Sequence, residues 1–412
     1  MIRCVALLYL SHVTHFFKKI SGYLSLNRNV AVLGGSLFGL GLGEELWLAY
    51  LPLYLTALGA SGFAVGLVYS FRDFLDGLYQ YPGGWVNDRF GRKQALMLFT
   101  LIAMGGYVVI ASATHWGVVF AGILLVMAWK AGAFPATFAV IAEALPAGKR
   151  GIAFSVQSIL VRVPRVIAAP LGGLIIGGIG VVAGIRAALG VTVLIAIAVF
   201  LLQRRGYKEP AAEDAKFSKT SPLRVFKGMP APLKQLLVAE CFIRIGEGIA
   251  GAFVVLYVIS VQHFSPGWYG VMYALQQAIA ITLYLPAGKL ADVQGRRLPV
   301  ILTFIAFAIF PLAVYLADSL PLLVLAFLIG GLKEFGEPAR KSIITDLADP
   351  AQMGRSVGVY YTIRNLLVVP AGALGGFLWQ YSVELPFLVA FGVGLLGVLV
   401  YIVSSKNNTV YT

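Results

Sequence analysis

Apolar residues run along this chain in long blocks separated by short polar clusters. Twelve blocks stand out, at residues 30–57, 62–87, 94–113, 116–144, 151–178, 182–202, 233–260, 266–290, 298–317, 320–345, 354–380 and 384–404. A helix needs roughly 20 mostly apolar residues to cross the hydrocarbon of a bilayer, so each block predicts one membrane-spanning helix. Nowhere do apolar and polar positions alternate with period two over strands of about ten residues, which excludes a transmembrane β-barrel. The prediction is an all-α membrane protein of twelve transmembrane helices. Gly34, Gly35, Gly39, Gly41 and Gly43 put a seam of small residues on the first helix, where a neighbouring helix can approach closely.

Composition removes the soluble alternatives. Of 412 residues 59% are hydrophobic and 12% charged, with a mean hydropathy of +0.85; the charged share is about half that of a soluble domain. A water-soluble fold of this length cannot bury so much apolar side chain, and the surplus would form patches that a monomer does not tolerate. Cys4 and Cys241 are the only cysteines, too few for a disulfide framework.

Charge position sets the orientation. The net charge is +14, and 24 of the 32 basic residues fall in the segments that are cytoplasmic if both termini are. Seven lie deep inside the blocks; Lys234, Lys289, Arg340, Lys341 and Arg355 stand near their cytoplasmic ends and are counted with the loops, and Arg186 alone sits near an outward loop. This is the positive-inside pattern, and it implies a multi-pass protein of the cell (inner) membrane in contact with anionic lipid. The same spread over many short loops argues against a nucleic-acid partner, which would need one basic face.

The longest polar stretch divides the chain. It gives a cytoplasmic N-terminal segment 1–27, a six-helix bundle 28–202, a linker 203–232, a second six-helix bundle 233–405 and a cytoplasmic tail 406–412. Val5–Leu10 is too short an apolar run for a signal peptide, and Lys18 and Lys19 follow it; segment 1–27 is expected to be an interfacial amphipathic helix.

The two bundles repeat one another. Pro82, Gly84, Asp88, Gly91 and Arg92 recur as Pro286, Gly288, Asp292, Gly295 and Arg296, all 204 positions on. Glu44, Tyr54, Lys130, Pro135 and Gly151 recur 203 positions on as Glu247, Tyr257, Lys333, Pro338 and Gly354. One register held along the whole chain marks a duplicated, pseudo-symmetric architecture of the kind secondary transporters use.

Gly84-x-x-x-Asp88-Arg89-x-Gly91-Arg92-Lys93 resembles motif A of the major facilitator superfamily, and Gly288, Asp292, Gly295, Arg296 and Arg297 form a weaker second copy. Phe134-Pro135 through Arg150-Gly151 is similar to that family's fourth helix and the loop after it. The resemblance covers residues 28–405 and implies a monomeric transporter whose motif A loops latch the cytoplasmic ends of the bundles in one state. It also implies that helices 1, 4, 7 and 10 line a central cavity. Drug–proton antiporters of the family carry Gly-Pro-x-x-Gly-Gly in helix 5 and an arginine early in helix 4. This chain has Ala169-Pro170-Leu171-Gly172-Gly173 and, at the second place, Leu124.

Charges inside the blocks carry the chemistry. Each costs roughly 2.5–3.5 kcal/mol at mid-helix on insertion scales, so each is a functional candidate. Arg72 and Asp76, Glu240 and Arg244, and Lys333 and Glu337 are spaced i, i+4 and can pair along one helix. Glu44, Glu45, Lys130, Arg162, Arg165 and Arg364 lack such a partner, so any pairing for them crosses helices and can break and reform between states. The expected proton-coupling residues are Glu44, Glu45, Glu247, Asp73 and Asp76. The expected substrate-cavity residues are Arg72, Lys130, Arg162, Arg165, Arg244, Lys333, Glu337 and Arg364, with Trp47 and Tyr54.

No spacing suggests metal ligands, a nucleotide loop or a nucleophile triad, so neither an enzyme nor a cofactor is expected, and the energy source is a proton or another ion gradient. The charged lining favours a small polar or charged solute. The alternatives are a drug–proton exporter, a lipid translocase of the same fold, which would show an apolar groove beside the charges, and a membrane sensor.

Overall fold

A computed structural model describes residues 28–144, 150–208, 222–348 and 353–406. The expected interfacial helix at 1–27, most of the linker and the tail beyond Lys406 lie outside the described residues. Among the described residues all regular structure is helical. In the first half the helices are α1 (Arg28–Glu45), α2 (Leu51–Ala57), α3 (Gly62–Phe90), α4 (Arg92–Ser112), α5 (Trp116–Ala144), α6 (Arg150–Ile179) and α7 (Val181–Gly206). A short α8 (Pro222–Gly228) precedes the second half: α9 (Ala231–Leu256), α10 (Pro266–Gln294), α11 (Arg297–Leu316), α12 (Leu320–Gly331), α13 (Glu337–Leu347), α14 (Met353–Val368), α15 (Pro370–Tyr381) and α16 (Leu385–Ser405).

Among the described residues seven helical stretches are long and apolar enough to cross a membrane by length and composition. Others fall short for a physical reason. Helix α3 carries Arg72, Asp73 and Asp76, and α1–α2 and α12–α13 are interrupted beside Glu44–Glu45 and Lys333–Glu334. The chain gives up local hydropathy and helix continuity where it places charge.

The repeat reappears as geometry. Ser61 Oγ accepts the Ala64 amide at 3.2 Å at the start of α3, and Ser265 Oγ accepts the Trp268 amide at 3.3 Å at the start of α10; both are N-caps that satisfy an otherwise orphaned N–H. At the other ends of α3 and α10 the chain turns through Gly91 and Gly295, each at φ 81°, a conformation open to glycine without strain.

Within the first half α1 packs on α6 and α7, and α4 on α5 and α7; in the second, α9 packs on α16 and α11 on α12 and α16. Two seams join the halves, α3 with α15 and α6 with α10. Glycines set their closeness. A Cβ on Gly66 would stand 2.2 Å from Gly372 O, one on Gly376 2.5 Å from Gly62 O, one on Gly270 2.5 Å from Ala169 O, and one on Gly173 2.3 Å from Pro266 O. The seams are repeats of each other, since Gly66 and Gly62 correspond to Gly270 and Pro266, and Gly372 and Gly376 to Ala169 and Gly173. Tyr50 completes the second seam, donating to Ala169 O at 2.7 Å with Pro266 O at 3.2 Å. All these contacts lie at the end away from the linker. Further along, Gly77 on α3 and Gly358 on α14 have no atom within 4 Å of where a Cβ would sit, so both positions face open space towards the linker end.

Candidate functional site

Between the halves lies a cavity of about 520 Å³. Its charged lining comes from both: Glu45, Arg72, Asp73, Asp76, Lys130, Arg162 and Arg165 from the first, and Arg244, Glu247, Lys333, Glu334 and Arg364 from the second. Tyr69, Tyr269, Tyr273, Phe307, Phe310 and Phe327 supply aromatic surface, and Gln276 and Gln277 add amides.

The helix breaks explain how neighbouring residues reach different partners. Around the interruption after α12, Lys333 turns to Glu247 of its own half at 3.2 Å, while Glu334 crosses to Arg162 of the other half at 2.8 Å. Arg162 also donates to Gln277 at 3.1 Å, so it ties the halves at the cavity floor. At the end of α1, Glu45 pairs with Arg165 at 2.8 Å on the cavity wall. Glu44 instead points into the first bundle, where Tyr107 donates to it at 2.8 Å and Lys130 Nζ stands 4.0 Å away.

All six residues expected to pair only across helices are near partners on other helices or, for Glu44, on α4 and α5. Two of the same-helix pairings are displaced. Arg72 lies over the Tyr69 ring at 4.4 Å rather than on Asp76, and Lys333 reaches Glu247 while Glu337 pairs with Arg340 and, at 3.3 Å, Lys341. Glu240 and Arg244 do approach, at 3.8 Å. Arg244 is held at 2.8 Å from Glu247.

Several expectations about the lining change. Trp47 and Tyr54 are fully buried in the first bundle; Trp47 packs edge-on against Tyr107, and Tyr54 donates to Ile110 O at 2.9 Å. Neither reaches the cavity, because the chain turns between α1 and α2 and rotates these rings inward. Glu337 lies behind the wall rather than on it.

Arg340, counted from the sequence among the loop-side basic residues, is only 2% exposed, because the break at residues 332–336 turns that face of α13 towards α9 and α14. It meets a hub that sequence reasoning treated only as part of a stripe. Glu240, 0% exposed, accepts from Arg340 at 2.6 Å, Arg364 at 2.7 Å and Tyr360 at 2.6 Å. The polar stripe Tyr269, Tyr273, Gln276, Gln277 on α10 was also overlooked; its i, i+4, i+7, i+8 spacing is the signal that would have found it.

In the motif A copies, Gly84, Asp88, Gly288 and Asp292 are placed on helical backbone and their side chains lie outside the described residues. Arg89 lies by the Phe90 ring at 5.9 Å, and Arg92 and Lys93 open α4. In the second copy Arg296 pairs with Asp346, and Arg297 donates to Ser405 Oγ at 3.0 Å. That copy therefore binds the α11 end to α13 and α16.

Two helical bundles in pseudo-repeat, joined by glycine seams around a charged central cavity, define an integral membrane transporter rather than an enzyme. A sequence profile of the Major Facilitator Superfamily matches residues 33–265 and 236–410, and the chain belongs to that family. It is 22% identical over 379 residues to an uncharacterized MFS-type transporter of Methanocaldococcus jannaschii, covering 88% of this chain and 91% of that one. It is 24% identical over 365 residues to a multi-drug resistance efflux pump PmrA homolog of Lactococcus lactis, covering 86% and 89%. A crystal structure of a mutant of the nucleoside transporter NupG superposes with a TM-score of 0.77 at 15% identity, covering 92% of this chain and all of that one; it shares the fold.

Proposed function

We propose that this transporter moves a small polar or charged solute by alternating access, as a monomer with both termini cytoplasmic. The observation that supports this most is the cavity itself: its charges come from both halves, and seams of glycines close one end while Gly77 and Gly358 face open space towards the other. With the positive-inside orientation the open end faces the cytoplasm. Rocking the halves would open the Gly66–Gly372 and Gly270–Ala169 seams and bring Gly77 and Gly358 together. We assign proton coupling to the Glu44–Lys130 pair, whose partners stand 4.0 Å apart and are free to exchange the lysine for a proton. A drug–proton exporter is the second reading, favoured by the name of the Lactococcus relative.

Cross-linking tests the cycle. In a Cys4→Ser, Cys241→Ser background, Gly77→Cys with Gly358→Cys should oxidise to a disulfide only when the cytoplasmic end closes. Its yield should therefore change several-fold when an inward pH gradient is imposed on proteoliposomes. A yield indifferent to gradient and solute would contradict alternating access. Efflux of a lipophilic cation dye, unaffected by polar solutes, would favour the exporter.

A further inference from the structure

Among the charges that line the cavity, most are already matched. Glu45 holds Arg165, Glu247 holds Arg244 and Lys333, and Glu334 holds Arg162. Arg72, Asp73 and Asp76 are the exceptions, Arg72 lying over the Tyr69 ring. Neither aspartate has an ion pair within 4.0 Å or a hydrogen bond among the described residues, though Arg72, Lys130 and Glu247 are within electrostatic reach of Asp73. Asp73 is half-buried and Asp76 exposed to the cavity, so two carboxylates face one arginine and a solute can supply the second cation.

The opposite wall carries the complementary group. Helices α3 and α15 touch at Gly66 and Gly372. Seven residues beyond Gly66 along α3 is Asp73, and seven before Gly372 is Asn365, next to Arg364. Seven residues are about two turns, or 10 Å, from the crossing; α3 and α14 still touch there, and both sets of side chains line the cavity. Arg364 is fixed on its wall. It donates to buried Glu240 at 2.7 Å and through Nε and Nη2 to its neighbour Asn365 at 3.1 and 2.9 Å. A guanidinium has five N–H groups, so part of its donor edge remains for a ligand. The aromatic rings of α10, α11 and α12 lie beside this gap.

We infer that the solute is a small zwitterion with an apolar body, its cationic group set between Asp73 and Asp76 and its anionic group on Arg364. This rests on the transport reading above and names its substrate class. A ligand with one charge would satisfy one wall only. A zwitterion joins α3 of the first half to α14 of the second, so its binding draws together the two helices that carry Gly77 and Gly358.

Three related probes test this: L-phenylalanine, 2-phenylethylamine and 3-phenylpropionate, which share a phenylethyl body and differ in charge. Equilibrium binding to the full-length protein in nanodiscs is measured for each. L-Phenylalanine should bind at least about tenfold more tightly than either singly charged probe, as expected for one further charge-assisted contact. Asp73→Asn with Asp76→Asn should reduce L-phenylalanine to the affinity of 3-phenylpropionate and leave the latter unchanged. Arg364→Gln should reduce it to that of 2-phenylethylamine, with partial recovery in Arg364→Lys. Equal binding of a singly charged probe, no binding of any probe, or indifference to the aspartate changes would overturn the zwitterion. The cross-link between positions 77 and 358 separates the two failures. If it alternates while the probes rank otherwise, only the substrate class falls; if it does not alternate, the transport cycle falls with it.

Discussion

The two halves share a register and differ in how they hold charge. In the first, Glu44 faces Lys130 at 4.0 Å and one tyrosine; in the second, its counterpart Glu247 is clamped by Lys333 at 3.2 Å and Arg244 at 2.8 Å. The second half adds the Glu240 hub with Arg340, Arg364 and Tyr360. The matching positions in the first half, 203 residues earlier, are Leu37, Thr137, Val161 and Gln157. Duplication therefore preserved the seams, while helix breaks and charges were distributed unequally: the α1–α2 break falls opposite continuous α9, and the α12–α13 break opposite continuous α5. The second half is cross-braced by charge behind its cavity wall. The first keeps one loose pair, Glu44 with Lys130, beside the close Glu45–Arg165 pair, and the loose pair is where a charge can change partner during a cycle.

The contrast is sharpest in stability. Glu240→Gln would leave Arg364 without its carboxylate and Arg340, 2% exposed, with Glu337 alone. Stranding a buried charge costs about 3–5 kcal/mol. Glu45→Gln removes the partner of Arg165, whose side chain is 31% exposed to the cavity, where water compensates and the cost is about 1 kcal/mol or less. Denaturant unfolding in detergent should separate the variants clearly. Similar losses would mean that the halves are braced alike.

Much of this arrangement was legible in the sequence. The apolar blocks fell on helices, and the 203–204 register matched Lys130 with Lys333, both of which stand in the cavity lining. Rotations about helix breaks were not legible. Whether Glu44 or Glu45 turns to the cavity depends on how α1 ends before Trp47. Hydropathy could not show that the break near Gly336 buries Arg340. The Glu240 hub gathers residues from three helices up to 124 positions apart, a convergence that no local spacing records.

The seams test where the halves are alike. A Cβ at Gly66 meets Gly372 O at 2.2 Å, and one at Gly270 meets Tyr50 Oη at 2.4 Å and Ala169 O at 2.5 Å. Gly66→Ala and Gly270→Ala should each disfavour the closed seam by about 1–3 kcal/mol, the usual cost of overpacking. The population would shift towards the opposite state, and the cross-link between positions 77 and 358 should rise by about tenfold in both variants. If only one variant responds, the seams are not equivalent and the rocking is not symmetric.

The smallest effect on the fold, and the most specific on function, is expected at Glu44, with its matched residue Glu247 as the contrast. Glu44 can give up Lys130 with little reorganisation, because Tyr107 continues to donate to it and the lysine side chain is 39% exposed. Once that contact opens, a proton can neutralise the carboxylate, and closing it favours the ionised form again. Protonation then depends on conformation, which is the requirement for coupling. Glu247 has no such freedom, since losing it strands Arg244 and Lys333 together. Glu44→Gln should therefore abolish accumulation driven by a pH gradient while leaving solute exchange at equal pH within about twofold, an effect under roughly 0.5 kcal/mol. Glu247→Gln should depress both fluxes and lower thermal stability, because it disturbs the braced half. Proteoliposome flux with and without an imposed gradient, normalised to reconstituted protein, distinguishes the two patterns. If Glu44→Gln still concentrates solute as the parent does, the loose pair is not the coupling site, and the difference between the halves is one of architecture alone.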